Sequence, residues 1–400
     1  MRNDGSTPRP IRVCFPYVGD SVGGSHISSS LLISCLNPRR VQPVVVLHED
    51  GPVAAHLQAQ GIDYEMLRLS GYAGTKPRLS HIFGSIVRNA PTLASFLRSR
   101  RIDIVHANDL RMNLTWPLPT RLTGRRFIWH QRVVVSKSPY WRILSAAANQ
   151  VLSVSRAAYD TLPRPGRQRG AVLYNPFTPE ATTQPHTLAK AWLLKQIGVD
   201  GDVMVAGFVG NMTAQKRPLL FVQAAAKMAV VHKRWVFVLV GDDRGGLTNE
   251  ARAMATDLGI EHRTHFVGYQ RPPETWMAGF DVMLAPGVNE AYGRAIVEAL
   301  LCGTPVVAAD SGSNREILFA DGMGAIAPAD DPAAFAAAAL RVTTTHDRVP
   351  LLAQSQLRER HSPVAHALKV ESVYRRLLGR APLGPHETAA PRVEQTAGLQ

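Results

Sequence analysis

Residues 289–312 read NEAYGRAIVEALLCGTPVVAADSG. Two acids, Glu290 and Glu298, stand eight positions apart among small and apolar residues. The run before it, DVMLAP from Asp281 to Pro286, has the look of a buried strand, and GVNEAYG that of a loop. A helix is expected from about Tyr292 or Gly293 to Cys302. Gly303 is placed to end it, and Pro305 to open the next strand. Glu290 then lies in the loop before the helix and Glu298 within its second turn, leaning back towards the N-terminus. Both carboxylates can face one crevice at the carboxyl edge of a parallel sheet, where open α/β folds bind ligands. A carboxylate there can accept two hydrogen bonds from a vicinal diol. The simpler alternative, an acid drawn to the helix dipole, accounts for Glu290 better than for Glu298.

The same grammar extends in both directions. Short apolar runs alternate with helical patterns: IRVCFPY from Ile11, then VQPVVVL, IDIVHA, RRFIWH, QVLSVS and AVLYNP. After the polar stretch FTPEATTQPHT and a helix LAKAWLLKQIG, a second series begins: VMVAGFVG, WVFVLVGD, THFVG, FDVMLAP and TPVVAA. Strand–helix alternation predicts parallel sheets, and near-continuous apolar strands predict sheets covered on both faces. We expect two Rossmann-like domains, residues 1–180 and 181–362. A helix over 363–378 is expected to pack back towards the first, ahead of a disordered tail from 379 to 400.

Composition narrows the class. The chain has 400 residues, 45% hydrophobic and 19% charged, as suits a globular protein of two domains. Cys14, Cys35 and Cys302 are scattered and form no zinc or disulfide pattern. The polar start MRNDGSTPRP lacks the apolar core of a signal peptide, and no apolar run spans a bilayer, so a cytoplasmic protein is expected. The net charge of +14 is uneven. Residues 1–180 hold 23 Lys and Arg against 10 Asp and Glu, hence +13, and the remainder holds 22 against 21, hence +1. The basic half suggests an anionic partner, a membrane surface, a phosphorylated acceptor or nucleic acid, or else a merely solvated surface.

Two further segments carry chemistry. GDSVGGSHIS after the first strand offers Gly23 and Gly24 before a helix, a ready anion site, though its spacing is not GxGxxG. GFVGNMTAQKRPLL places Gly210, Lys216 and Arg217 between a strand and a helix, where two cations and free helix N–H groups can hold a diphosphate. The paired acids Asp242 and Asp243 read as a strand-end loop.

The segment 289–312 resembles the E-x7-E region of the family 4 glycosyltransferases, and the resemblance runs from Ile11 to about Leu378. DIVHAND with His106, FIWHQR with His130, VLSVSRAAYDTL and VLYNPF resemble further family segments. Three positions depart: Asn211 stands where arginine is common, Asn108 where a second histidine is usual, and Asn175-Pro176 replaces NG. The resemblance implies the GT-B fold, with two Rossmann-like domains facing across a cleft. It implies retaining transfer from a nucleotide-sugar donor, held by the second domain, to a saccharide or lipid-linked acceptor held by the first. No nucleic acid, cofactor or metal is expected; Lys216 and Arg217, rather than a metal held by a DxD triplet, would stabilise the leaving group. Glu298 would bind the ribose. Glu290 and the backbone of Ala291, Tyr292 and Gly293 would hold the sugar. His130 would stabilise the oxocarbenium-like transition state or orient its hydroxyls, unless it is only a satisfied strand-end histidine. The rivals are a nucleotide-sugar epimerase of the same fold and a non-catalytic sugar-nucleotide or membrane-binding module.

Overall fold

The computed structural model describes residues 9–69, 79–135, 140–178, 184–345 and 347–384. The tail expected from 379 therefore lies, from 385 on, outside the described residues.

The first sheet is built from β1 (Ile11–Tyr17), β2 (Val41–Leu47), β3 (Tyr64–Met66), β4 (Ile104–Ala107), β5 (Arg126–Gln131), β6 (Gln150–Ser153) and β7 (Gly170–Val172). The second comprises β8 (Met204–Val209), β9 (Trp235–Val240), β10 (Thr264–Gly268), β11 (Val282–Ala285), β12 (Val306–Ala309) and β13 (Gly324–Ala327). The orders are β3-β2-β1-β4-β5-β6-β7 and β10-β9-β8-β11-β12-β13, and the pairings are parallel. Strand order reverses between β1 and β4 in one sheet and between β8 and β11 in the other. Loops leaving the carboxyl ends at such points diverge to opposite faces and leave a crevice. Two such crevices form one cleft here.

Burial follows the apolar runs. β9, Trp235–Val240, is buried at every position, as a strand covered on both faces must be. β3 and β13 were not among the expected strands. They are three and four residues long, YEM and GAIA, and pair with one neighbour each.

The helix Pro363–Leu377 returns to the first domain. Ser362 Oγ caps it by accepting from the Ala365 amide. Its Val370, Val373 and Tyr374 join a core made with Ile11, Phe15 and Leu32. Glu371, 2% exposed at its side chain, meets Arg40 at 2.6 Å. So the first domain is completed by residues that follow the second in sequence.

Candidate active site

Carboxyl-terminal loops from both sheets enclose a cleft of about 580 Å³. Of the residues expected at a site, Gly24, His130, Lys216, Glu290, Ala291 and Tyr292 line it together. Lys216 and Glu290, 74 positions apart, meet at 2.6 Å between Nζ and Oε1. Gly210 leaves room for the lysine stem. A Cβ there would stand 3.3 Å from the Lys216 stem, which lies along the strand end. Gly312, at φ +57°, supports the other partner; a Cβ there would sit 2.4 Å from the Glu290 carbonyl oxygen.

Arg217 is placed differently from its expected role. It is itself in the left-handed conformation before the helix Pro218–Val231, and this turns its guanidinium away. The side chain donates to the Ala329 carbonyl at 2.6 Å and pairs with Asp330. Lys216 is left as the cleft cation of that segment. Glu298 also has a nearer partner than a ligand. It accepts from Arg294 Nη2 at 2.9 Å, one helical turn back. Arg294 in turn donates to Ser28 Oγ of the first domain at 2.6 Å and lies 4.3 Å over the Phe177 ring. A Cβ on Gly24 would meet the Arg294 side chain at 2.6 Å, so glycine is what admits this crossing. Gly23 is the residue before the helix Gly24–Cys35, and its amide donates to His26 Nδ1 at 3.1 Å. Gly293 plays the same part before the helix Arg294–Leu301.

His130 is fully buried by its surroundings but borders the cleft. Its Nδ1 lies 3.1 Å from His106 Nε2, and His106 Nδ1 lies 2.6 Å from the Tyr374 hydroxyl. Arg132 Nη2 is 3.4 Å from the same His130 Nδ1. Burial, then the Arg132 charge, holds both histidines well below the usual imidazole value, so both are neutral near pH 7. A guanidinium can only donate. His130 Nδ1 is then an acceptor, His106 Nε2–H donates to it, and Tyr374 O–H donates to His106 Nδ1. The remaining proton sits on His130 Nε2, which has no partner among the described residues. A neutral ring is thus fixed to offer an N–H.

Tyr292 is anchored by a second histidine. His361 Nδ1 is 2.8 Å from the Asn175 carbonyl, which can only accept, so Nδ1 carries the proton and Nε2 accepts from the Tyr292 hydroxyl at 3.0 Å. Burial lowers His361 to about 4. The Tyr292 hydroxyl is committed inward, which leaves the backbone of the 290–293 loop to face a ligand.

Several cleft residues were not expected as site residues: Asp109, Arg132 and Arg294 among the charged ones. Asp109 Oδ1 caps the helix Leu110–Thr115 by accepting from the Met112 amide at 2.9 Å. Its buried Oδ2 is unpartnered, and burial raises the carboxyl to about 6. Arg132 and Arg294 both sat inside segments read for other residues. Arg132 is fixed by Asn108 and Asn175, well away in sequence, and Arg294 reaches Ser28 of the first domain as well as Glu298 one turn on, so its place in the cleft is set by a contact between domains.

Among the described residues no group of three or more His, Cys, Asp and Glu could hold a metal ion. One DxD triplet does occur, Asp200-Gly201-Asp202. It precedes β8, at the sheet end opposite the cleft, and Asp202 pairs with Arg234 at 2.7 Å. Asp242 and Asp243 follow β9; Asp242 pairs with Arg244, and Asp243 accepts from the Thr248 amide.

Residues 204–345 match the family model for glycosyl transferases group 1. HepE from Anabaena, solved with UDP-glucose, superposes with a TM-score of 0.76 at 20% identity, covering 92% of this chain and 99% of HepE. The sucrose-phosphate synthase of Thermosynechococcus elongatus superposes at 0.73 with 16% identity, over 92% and 99%. The fold is GT-B. A D-inositol 3-phosphate glycosyltransferase of Corynebacterium kroppenstedtii is 34% identical over 163 residues, 38% of this chain and 36% of the relative. The Vi polysaccharide biosynthesis protein VipC/TviE of Salmonella typhi is 31% identical over 149 residues, 36% of this chain and 25% of the relative. The matched stretch thus spans little more than a third of the first relative's length.

Proposed function

We propose that this chain is a retaining glycosyltransferase that moves a sugar from a nucleotide-sugar donor to a saccharide or lipid-linked acceptor, without a required metal. The observation that carries the reading is the cleft itself: Lys216 and Glu290 on one wall, and the neutral, proton-bearing His130 on the other. The likeness of residues 204–345 to group 1 glycosyl transferases supports it.

In this reading the donor diphosphate meets Lys216 near the N-terminus of the helix Pro218–Val231, where the lysine charge and the helix dipole favour an anion. Glu290 turns to the sugar hydroxyls when the phosphate takes over its lysine. His130 Nε2–H donates to a sugar hydroxyl. An N–H dipole does not stabilise a positive centre, so the orienting role suits this tautomer better than stabilisation of an oxocarbenium ion. The glycosidic C–O bond to phosphate breaks as the acceptor oxygen bonds to the same face of the anomeric carbon. The acceptor proton passes to the leaving phosphate oxygen. Glu298, carried by Arg294, reaches the ribose from the second domain.

No helix among the described residues is long and apolar enough to cross a membrane. A cytoplasmic enzyme that touches an anionic bilayer through its basic first half, with a role in polysaccharide synthesis, fits the charge asymmetry and the polysaccharide relative. The test is a screen of nucleotide sugars by thermal shift, then product analysis with EDTA present. Ligand at about 100 times its dissociation constant adds about 2.7 kcal/mol of stability. No stabilisation by any nucleotide or nucleotide sugar would defeat the proposal, and an isomerised donor formed without acceptor would favour an epimerase.

A further inference from the structure

The cations of the cleft are not alike. Lys216 is paired with Glu290, and Arg294 with Glu298. Arg132 has no carboxylate within ion-pair distance among the described residues. Its guanidinium donates to neutral acceptors: Nη1 to Asn175 Oδ1 at 2.5 Å, Nη2 and Nε to Asn108 Oδ1 at 2.8 and 3.2 Å, and Nη2 also to His130 Nδ1 at 3.4 Å. The imidazole beside it is neutral. Asp109, the acid on this side of the cleft, caps its own helix and is not paired with Arg132.

A partly buried charge without a counter-ion is unfavourable unless something supplies one. Two asparagine side chains fix where this charge stands without neutralising it. With Nε and Nη2 engaged, one guanidinium hydrogen, on Nη1, is left for a further acceptor. His130 and the amino end of the helix Gly24–Cys35, at Gly24 and Ser25, line the same cleft. That wall belongs to the first domain, whereas the cation expected on the donor diphosphate, Lys216, belongs to the second.

We propose that Arg132 binds an oxyanion carried by the acceptor, so that the acceptor class is phosphate-bearing. The word acceptor rests on the glycosyltransferase reading; the anion site does not. A guanidinium N–H held in direction by two asparagines makes a charge-assisted hydrogen bond to a phosphate oxygen, which a flexible lysine reproduces only in part. The alternative is that Arg132 merely ties Asn108 to Asn175.

Calorimetry on the full chain separates these. UDP, GDP and ADP are titrated first into the wild type, Arg132→Gln and Arg132→Lys, with circular dichroism to confirm folding. Inorganic phosphate is then titrated into each protein saturated with whichever nucleotide binds, so that the donor diphosphate position is occupied. The expected result is nucleotide affinity within about two-fold in all three. Phosphate should bind the wild type and weaken by about ten-fold or more in Arg132→Gln. Arg132→Lys should recover part of that loss. A ten-fold loss of nucleotide affinity in Arg132→Gln would overturn the inference and give Arg132 to the donor. Equal phosphate binding in wild type and Arg132→Gln, or none to the nucleotide-saturated wild type, would also overturn it. If no nucleotide binds, the glycosyltransferase reading alone is struck, and the phosphate titration on the free protein still decides the role of Arg132.

Discussion

Removing either member of the Lys216–Glu290 pair should move nucleotide affinity in opposite directions. The pair is 2.6 Å apart, with side chains 30% and 12% exposed. In the free protein the carboxylate therefore competes for the lysine that a diphosphate needs. A charge-assisted contact to phosphate contributes about 1.5–3 kcal/mol. Giving up a partly exposed ion pair offsets about 0–1 kcal/mol of that. Lys216→Ala should then weaken nucleoside diphosphate binding by about 0.5–3 kcal/mol, or roughly 2- to 150-fold. Glu290→Gln frees the lysine and should leave that affinity unchanged or tighten it by up to about five-fold. The same variant loses a charged acceptor beside the reacting sugar, so kcat should fall by about 100-fold. Calorimetry with nucleotide, and steady-state kinetics with donor, measure the two effects separately. Equal weakening of nucleotide binding in both variants would refute the reasoning, because Glu290 would then be holding the lysine in place rather than competing for it.

Glu298→Gln should raise the donor KM while kcat stays within a few-fold, since a ribose contact is alike in ground and transition states; a lost kcat with unchanged KM would count against that assignment. Tyr374→Phe keeps the edge-on packing against His106 but removes the hydroxyl donor. Nitrogen NMR of labelled histidine should then show a second His130 tautomer, with kcat lower by roughly 2- to 10-fold; unchanged nitrogen shifts would break the relay. Acid should destabilise the fold early. Burial depresses His26 and His361 to about 4 and His366 to about 3, and His106 and His130 well below 6.5. Their contribution is complete above the unfolded value of 6.5 and is lost as pH falls towards the folded values, at up to about 1.4 kcal/mol per pH unit for each. Thermal melts at about pH 7.5 and about pH 5.5 should differ by several degrees; equal midpoints would contradict it.

The sheet strands were legible wherever an apolar run was long enough to stand out, as in IRVCFPY and WVFVLV. YEM and GAIA were not, being short and barely apolar; they are strands because a neighbour offers its edge. Within the cleft, residues 286–293 could be read locally because a strand, a loop and a helix fix Glu290 in a few steps. Arg217 could not. Its direction depends on a left-handed backbone and on Ala329 and Asp330, more than a hundred positions away. The same holds for Arg132, whose meaning comes from Asn108 and Asn175, and for Tyr292, held by His361. Periodicity speaks of an element and its faces, whereas these contacts exist only between elements.

The return of Pro363–Leu377 to the first domain bears on how the protein is made. A ribosome that has released residues 9–178 has delivered the strands of the first sheet but not the helix that covers Ile11, Phe15 and Leu32. During synthesis of the second domain that apolar face must wait uncovered, and Glu371 has yet to reach Arg40. The first half of the chain is thus the last to be finished. A nascent chain stalled anywhere between residues 180 and 360 should be the species most in need of a chaperone, even with its second domain already folded.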